Sequence, residues 1–326
     1  MVRRAALADV LGGAAAFAVL AAVPLLIGGK AAPDFVIRCA AYGLFATSLN
    51  LLVGYGGMIS FGHGMFFGLG AYAFGLLMQR TALSIPAAFA LTILIAAAVA
   101  TVIGAICVRL KEIYFAFVTL AFQMLIHSLI ISWVGLTGGD QGLRGGIPRP
   151  VFLGVDLANR IQLYLACGAA LVIGLVLMHR IVASQFGYTL RMTRDNAERA
   201  GYLGVDVVRV RLIAFVLAAV FACVGGVVMS LFVSGAYPDF ADWTVSGDGM
   251  FINMLGGINV FLGPMLGTVI LLLLNDTVTR LTEHDGIVLG VVILFFAIGL
   301  RKGLLDFVLD RIAERRATAV ASPERG

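Results

Sequence analysis

Charge is what this chain has least of. Only 13% of its 326 residues are Asp, Glu, Lys or Arg, about half the share of a soluble domain. With 61% hydrophobic residues and a mean hydropathy of +1.02, that scarcity excludes a soluble globular protein and leaves a polytopic membrane protein. Other signals are missing too. No GxxxxGK[ST] run is present, so the chain carries no phosphate-binding loop by that signal. Its four cysteines, Cys39, Cys107, Cys167 and Cys223, lie singly in apolar runs without CxxC spacing or a histidine nearby. They read as small buried hydrophobes, not as disulfide partners or metal ligands. The net charge of +5 does not point to nucleic acid, because the arginines fall between membrane segments, where topology accounts for them.

Glycine, by contrast, is abundant. Leu49–Leu77 reads LNLLVGYGGMISFGHGMFFGLGAYAFGLL, apolar enough for a membrane yet dense in glycine. Glycine inside a helix costs about 1 kcal/mol relative to alanine, so something offsets it. Either small residues let helices approach closely in lipid, or the helix is interrupted where backbone lines a cavity. Gly54, Gly56 and Gly57, followed by Ser60 and His63, suit an interruption on a solute path. A tight turn between two ordinary spans fits the same residues. Asn50, Ser60 and His63, with Gln123, His127, Asn253 and Asn259, are the uncharged polar residues of the spans. Helix-to-helix hydrogen bonding and path lining are both open to them.

The hydropathy pattern predicts an all-α bundle of about ten passes of roughly 20 residues. The expected spans are 8–29, 35–53, 63–79, 86–108, 113–135, 160–178, 211–233, a short or broken piece at 249–260, 265–281 and 286–300. The first apolar run, about 20 residues, exceeds a signal-peptide core of 7–15 and reads as a retained span. Counting the short piece as a pass puts both termini on one side. Most of the 23 Lys and Arg then fall on that side, which the positive-inside rule makes cytoplasmic. The membrane domain is 1–305, with an external loop at 138–159, a cytoplasmic segment at 184–210 and a tail at 306–326. The cytoplasmic segment, SQFGYTLRMTRDNAERAGYLGVDVVRV, predicts one exposed helix from Gly187 to Tyr202, with mixed charges at helical spacing and Gly201 and Gly204 ending it. It suits either a solvated connector or a helix that docks into a soluble partner. Almost no ionisable residue lies inside a span, which favours an external energy source over ion coupling.

Four stretches, in order, carry a resemblance. LNLLVGYGGMISFGHGMFFGLGAY resembles the glycine-rich signature of branched-chain amino acid ABC permeases of the LivM/LivH type. FGYTLRMTRDNAERAGYLGVDVVRVRLIAF is similar to their coupling segment, MLGGINVFLGPMLGTVILLLL to their late GG–GP segment, and GIVLGVVILFFAIGLRKGLLD to their last span. The likeness covers about 40–305. Tyr188 and Met192 depart from the commoner residues of the coupling segment, and Gly299-Leu300-Arg301-Lys302-Gly303 stands where Pro-Arg-Gly is more usual. The resemblance implies the permease of a bacterial inner-membrane importer, with no cofactor of its own. A second permease, two cytoplasmic ATPases that use ATP and a periplasmic substrate-binding protein would complete it. Branched-chain amino acids are the default substrate of the family; urea or short amides, and aromatic or organic acids, are alternatives. A stand-alone channel or secondary carrier is the alternative of another class, and a structural membrane anchor a third. Coupling to the ATPases would fall to Arg191, Arg194, Asp195, Asn196, Glu198, Gly201 and Gly204. The path would fall to Asn50, Gly54, Gly56, Gly57, Ser60 and His63. Bulky groups at Gly201 or Gly204 are expected to spare folding and to uncouple transport. Loops 138–159 and 235–248, with Asp140, Arg144 and Arg149, are expected to meet the binding protein.

Overall fold

A computed structural model describes residues 12–18, 20, 31–110, 112–143, 145–149, 151, 156–281, 287–288, 290–291, 294 and 303. The tail at 306–326, Arg144 and most of the expected spans 8–29 and 286–300 lie outside them. Described residues form helices and no strands. The first unit is 1–249 and the second begins at Met250.

In the first unit, residues 12–18 and Leu20 are helical. Then come α1 (Ala31–Asn50), a π-helical turn (Leu51–Tyr55), α2 (Gly64–Arg80), α3 (Ile85–Cys107), α4 (Glu112–Ser132), the short α5 (Val134–Thr137) and α6 (Arg160–Val182). After these follow α7 (Gln185–Asp195), α8 (Ala197–Tyr202), α9 (Val207–Val233) and α10 (Trp243–Gly256), which runs into the second unit. There, α11 spans Gly263–Leu281.

Among the described residues, six stretches are long and apolar enough to cross a membrane: Ala31–Tyr55, Ile85–Cys107, Ile113–Ser132, Arg160–Val182, Val207–Val233 and Gly263–Leu281. The protein is therefore a multi-pass helical membrane protein. Helix α2, at 17 residues, reaches about 26 Å. Helix α10, at 14 residues, reaches about 21 Å, short of a roughly 30 Å hydrocarbon core. The short piece thus starts six residues earlier than the expected 249–260. It ends at Gly256, ahead of Gly257 at φ 112°. Its polar first half, with Ser246 and Asp248, disguised the helix as loop.

Helix α9 is central to the first unit, packing on α1, α2 and α3. Glycine makes this possible. A Cβ on Gly226 would sit 1.9 Å from the Phe67 carbonyl oxygen, and one on Gly70 2.2 Å from that of Cys223. These backbones touch where small residues form the seam. All four cysteines are buried free thiols.

The loops 138–159 and 234–242 are tied together. The Leu143 amide donates to Ala236 O at 2.9 Å and that of Ile147 to Ser234 O at 3.1 Å. Gln79 donates to Gly146 O at 2.6 Å, and the Arg149 guanidinium to Leu231 O and Leu157 O. Arg149 therefore faces inward and braces the loop, while Asp140 is exposed.

Candidate functional site: the junction of the glycine break and segment 184–210

The interruption opens with a change of helix type. α1 runs into five π-helical residues, Leu51–Tyr55, before leaving helical geometry at Gly56. The break therefore begins two residues later than Gly54. The amides of Gly56 and Met58 converge on Leu52 O, at 3.1 and 2.9 Å. Gly57 takes φ +65°, a left-handed conformation that glycine adopts without steric cost. Non-helical backbone continues to His63, and α2 starts at Gly64. Close approach shapes this stretch too, since a Cβ on Gly62 would lie 2.1 Å from Thr119 O. Both explanations for the glycines hold, each for different residues.

The carbonyl of Gly54, in the π turn, receives a charged donor from far along the chain: the Arg194 guanidinium in α7. The Arg191 guanidinium stacks 4.8 Å from the Tyr55 ring centroid and 5.4 Å from that of Tyr188. A Cβ on Gly56 would meet Leu190 Cδ1 at 3.4 Å, and one on Gly57 would meet Arg194 Cγ at 2.9 Å. The face of α7 carrying Leu190, Arg191 and Arg194 thus rests directly on the break. Leu190 is fully buried there.

A compact polar cluster lies within the same segment. The Ser48 hydroxyl donates to Phe45 O at 2.7 Å, and Ser48 Oγ is 2.9 Å from His63 Nε2. Ser48 has one proton to give, so this network assigns the donor role to His63 Nε2–H and leaves Nδ1 an acceptor. Nδ1 has no protein partner, and neither do Ser60 Oγ, Thr47 Oγ1 or either amide atom of Asn50, all buried. A buried polar group without a partner costs about 1–3 kcal/mol, so this grouping is unusual in a site with no other task. Next to it, the Gly64 amide, an orphan donor at the start of α2, donates to Ser246 Oγ at 2.8 Å. Ser246 donates in turn to Gln123 Oε1 at 2.7 Å, and Gln123 Nε2 to Asp242 O at 2.6 Å. Gln123 is therefore a structural bridge from α4 to the start of α10.

Residues 32–297 match the family model described as branched-chain amino acid transport system / permease component. The chain belongs to that permease family. Among curated relatives, the permease is 24% identical over 302 residues to the high-affinity branched-chain amino acid transport system permease protein LivM of Salmonella typhimurium (strain LT2), covering 86% of this chain and 71% of the relative. It is 24% identical over 309 residues to the protein of the same name from Escherichia coli (strain K12), covering 88% and 72%. No solved structure matches.

The permease does not keep 187–202 as one helix. Asn196 leaves helical geometry at φ −159°, ψ 99°, and its Oδ1 accepts from the Arg199 amide at 2.8 Å, capping α8. The segment is thus two helices, α7 and α8, meeting at Asn196. The charge pattern at helical spacing runs through that cap and hid it. The seven residues expected to couple to a motor divide by direction. Arg191 and Arg194 reach inward to the break, and Asn196 makes the bend. Asp195 and Glu198 are exposed, with Glu198 accepting from the Tyr202 hydroxyl at 3.1 Å. Gly201 sits in open space, so a side chain fits there. Gly204 takes φ +86°, so a bulky replacement strains the backbone, against the expectation that folding is spared at both glycines. Of the six residues expected to line a path, Gly54, Gly56 and Gly57 lie against α7, while Asn50, Ser60 and His63 are buried around the break. Sequence reasoning missed Ser48, Thr47, Tyr55, Leu190 and Ser246. Only the Thr47-Ser48-x-Asn50 run, polar residues closing an apolar helix, offered a signal.

Proposed function

We propose that this chain is one permease subunit of an ATP-driven importer of branched-chain amino acids, working in a bacterial inner membrane. A second permease, two cytoplasmic ATPases and a periplasmic binding protein complete it. The observation that carries the reading is the seating of α7 on the glycine break through Arg194 and Arg191. In this reading α7–α8 is a lever, and a push or pull on it is transmitted to Gly54 and Tyr55 without any intermediary.

The outward face of the lever suits a protein partner. Tyr188, Met192, Tyr202 and Leu203 are 60%, 41%, 82% and 69% exposed, a cluster of large apolar groups that solvent alone does not favour. Tyr188 and Met192 are also where the segment departs from the commoner family residues. The topology in this reading has about ten passes, with both termini and 184–210 cytoplasmic. Movement of the lever shifts the break between outward- and inward-open forms. Asn50, Ser60 and His63 offer hydrogen-bonding atoms to the passing solute. The chain itself binds no nucleotide or cofactor.

Co-expression with candidate ATPase subunits from the same genome, purification through a tag on this chain and reconstitution in liposomes tests the reading. Co-purifying ATPase and leucine uptake that needs ATP and binding protein are expected. Uptake by this chain alone, indifferent to ATP, would establish a channel or secondary carrier instead. ATP-driven uptake of urea or an aromatic acid but not leucine would change the substrate and leave the mechanism.

A further inference from the structure

One carboxylate sits where a bundle of apolar helices has little use for it. Asp248 is the only charged residue of α10, and it is half-buried. The helix holds it against the middle of α1. A Cβ on Gly249 would lie 2.7 Å from Phe45 Cε1 and 3.0 Å from Leu49 Cδ2, and the field of the Asp248 carboxylate reaches the Tyr42 hydroxyl. Tyr42 and Phe45 straddle the midpoint of the 25-residue stretch Ala31–Tyr55, so the carboxylate lies at membrane depth. Arg38, one turn before Tyr42 on α1, is the other charge that Tyr42 feels. Yet among the described residues no hydrogen bond or ion pair reaches the Asp248 carboxylate. An ionisable side chain at this depth is costly and faces a protein interior or a water-filled path, where a partner offsets the cost.

The surroundings indicate the partner. Tyr42 stacks on Phe67 at 5.6 Å, and Phe67 meets Phe45 edge-on at 5.3 Å, so the neighbouring surface of α1 and α2 is aromatic. A small inorganic cation needs a shell of several oxygens. An ammonium on a hydrocarbon stem is satisfied by one carboxylate and aromatic faces. The Phe45 ring also lies 5.3 Å from that of His63. The buried, unpartnered polar atoms of Thr47, Asn50, Ser60 and His63 therefore come next along α1, ready for the rest of a polar solute.

We propose that Asp248 binds the ammonium group of the solute and makes the path selective for solutes that carry one. Amino acids qualify; urea and acids without an amino group do not. The part this plays in transport rests on the importer reading above, whereas the binding itself does not.

Isothermal titration of the purified full-length chain tests the site, with isoamylamine as the probe and isovalerate as the control that has an anionic head instead. Isoamylamine is expected to bind one per chain, on the order of millimolar, with isovalerate about tenfold weaker or worse. Asp248→Asn should cost about tenfold or more, and Asp248→Glu, which keeps the charge, less. Asp248→Ser decides the matter if Asp248→Asn fails to fold. Exchanging potassium for sodium at constant ionic strength should leave the affinity within about twofold, since screening is unchanged. In the reconstituted importer, Asp248→Asn should lower leucine uptake at saturating binding protein and leave the KM for loaded binding protein as it is. Absence of isoamylamine binding, equal binding of isovalerate, displacement of the amine by sodium, or affinity unchanged without the carboxylate would overturn the proposal. ATP-driven leucine uptake with no amine site sinks only this inference. An amine site that needs Asp248, in a chain that transports without ATP, sinks only the importer reading.

Discussion

Arg194→Ala removes the charged donor from the Gly54 carbonyl and leaves the rest of α7 in place. A hydrogen bond to a charged group contributes about 1.5–3 kcal/mol net. Arg194 is an exposed residue, so water competes for both partners and the figure falls to about 1–2 kcal/mol. If the bond forms only when lever and break are engaged, its loss shifts that equilibrium by about 5- to 30-fold, at about 1.4 kcal/mol per factor of ten. The assay is the reconstituted importer, with ATP hydrolysis and leucine uptake followed in the same vesicles. Hydrolysis should stay within about twofold of the parent, because Arg194 points at the break and not at the exposed face of the lever. Uptake per ATP should fall by the larger factor. Arg194→Lys, which keeps the charge but not the planar fork, should lie between. An unchanged uptake-to-ATP ratio in Arg194→Ala would refute direct transmission through this bond.

The Arg191–Tyr55 stack is open to a double-mutant cycle. Arg191→Ala and Tyr55→Leu should couple by about 0.5–1 kcal/mol in thermal stability, and additive losses would show that the stack contributes nothing. Gly226→Ala places a methyl 1.9 Å from Phe67 O. Overpacking of this kind costs about 1–3 kcal/mol or more, so the purified variant should melt lower, whereas Gly201→Trp, in open space, should not. Tyr202→Cys should react with a membrane-impermeant maleimide only in inside-out vesicles, and labelling in intact cells would reverse the orientation. Burial pushes the Asp242 carboxyl up, but the Thr244 amide and hydroxyl, His127 at 3.9 Å and the Trp243 amide outweigh it, and the net direction is down. A depressed carboxyl stabilises the fold above its unfolded value, near 3.9, and loses that contribution as pH falls toward its folded value. The melting-point deficit of Asp242→Asn at pH 7 should therefore shrink below about pH 4, and a deficit constant with pH would show that ionisation is not involved.

The helices α1 to α4, α6 and α9 were readable because hydrophobic runs alternate with Pro86, Arg80, Arg109 and Arg160, residues that lipid excludes. Their ends shifted by a few residues where an apolar run gave no edge, as at Val207, which Asp206 caps through the Arg209 amide. The π turn left no trace in the side chains, since it is a slip of backbone hydrogen bonds inside an apolar stretch. The bend at Asn196 did leave a trace, an asparagine ahead of Ala-Glu, but charge spacing on either side read through it. The candidate residues were legible as two separate groups. That they form one junction was not, because the Arg194–Gly54 contact joins positions 140 residues apart, and no local pattern encodes such a distance.

The π turn has a consequence for insertions and deletions. It holds a spare residue relative to an α-helix, and each residue of an α-helix advances the chain by about 1.5 Å and 100°. Deleting Val53 would leave a stretch just as greasy and just as helical, yet out of phase by roughly a quarter turn, with the Gly54 carbonyl aimed away from the Arg194 guanidinium that donates to it. A hydropathy plot would not register the lesion; in the importer proposed above, the motor would turn over without moving solute.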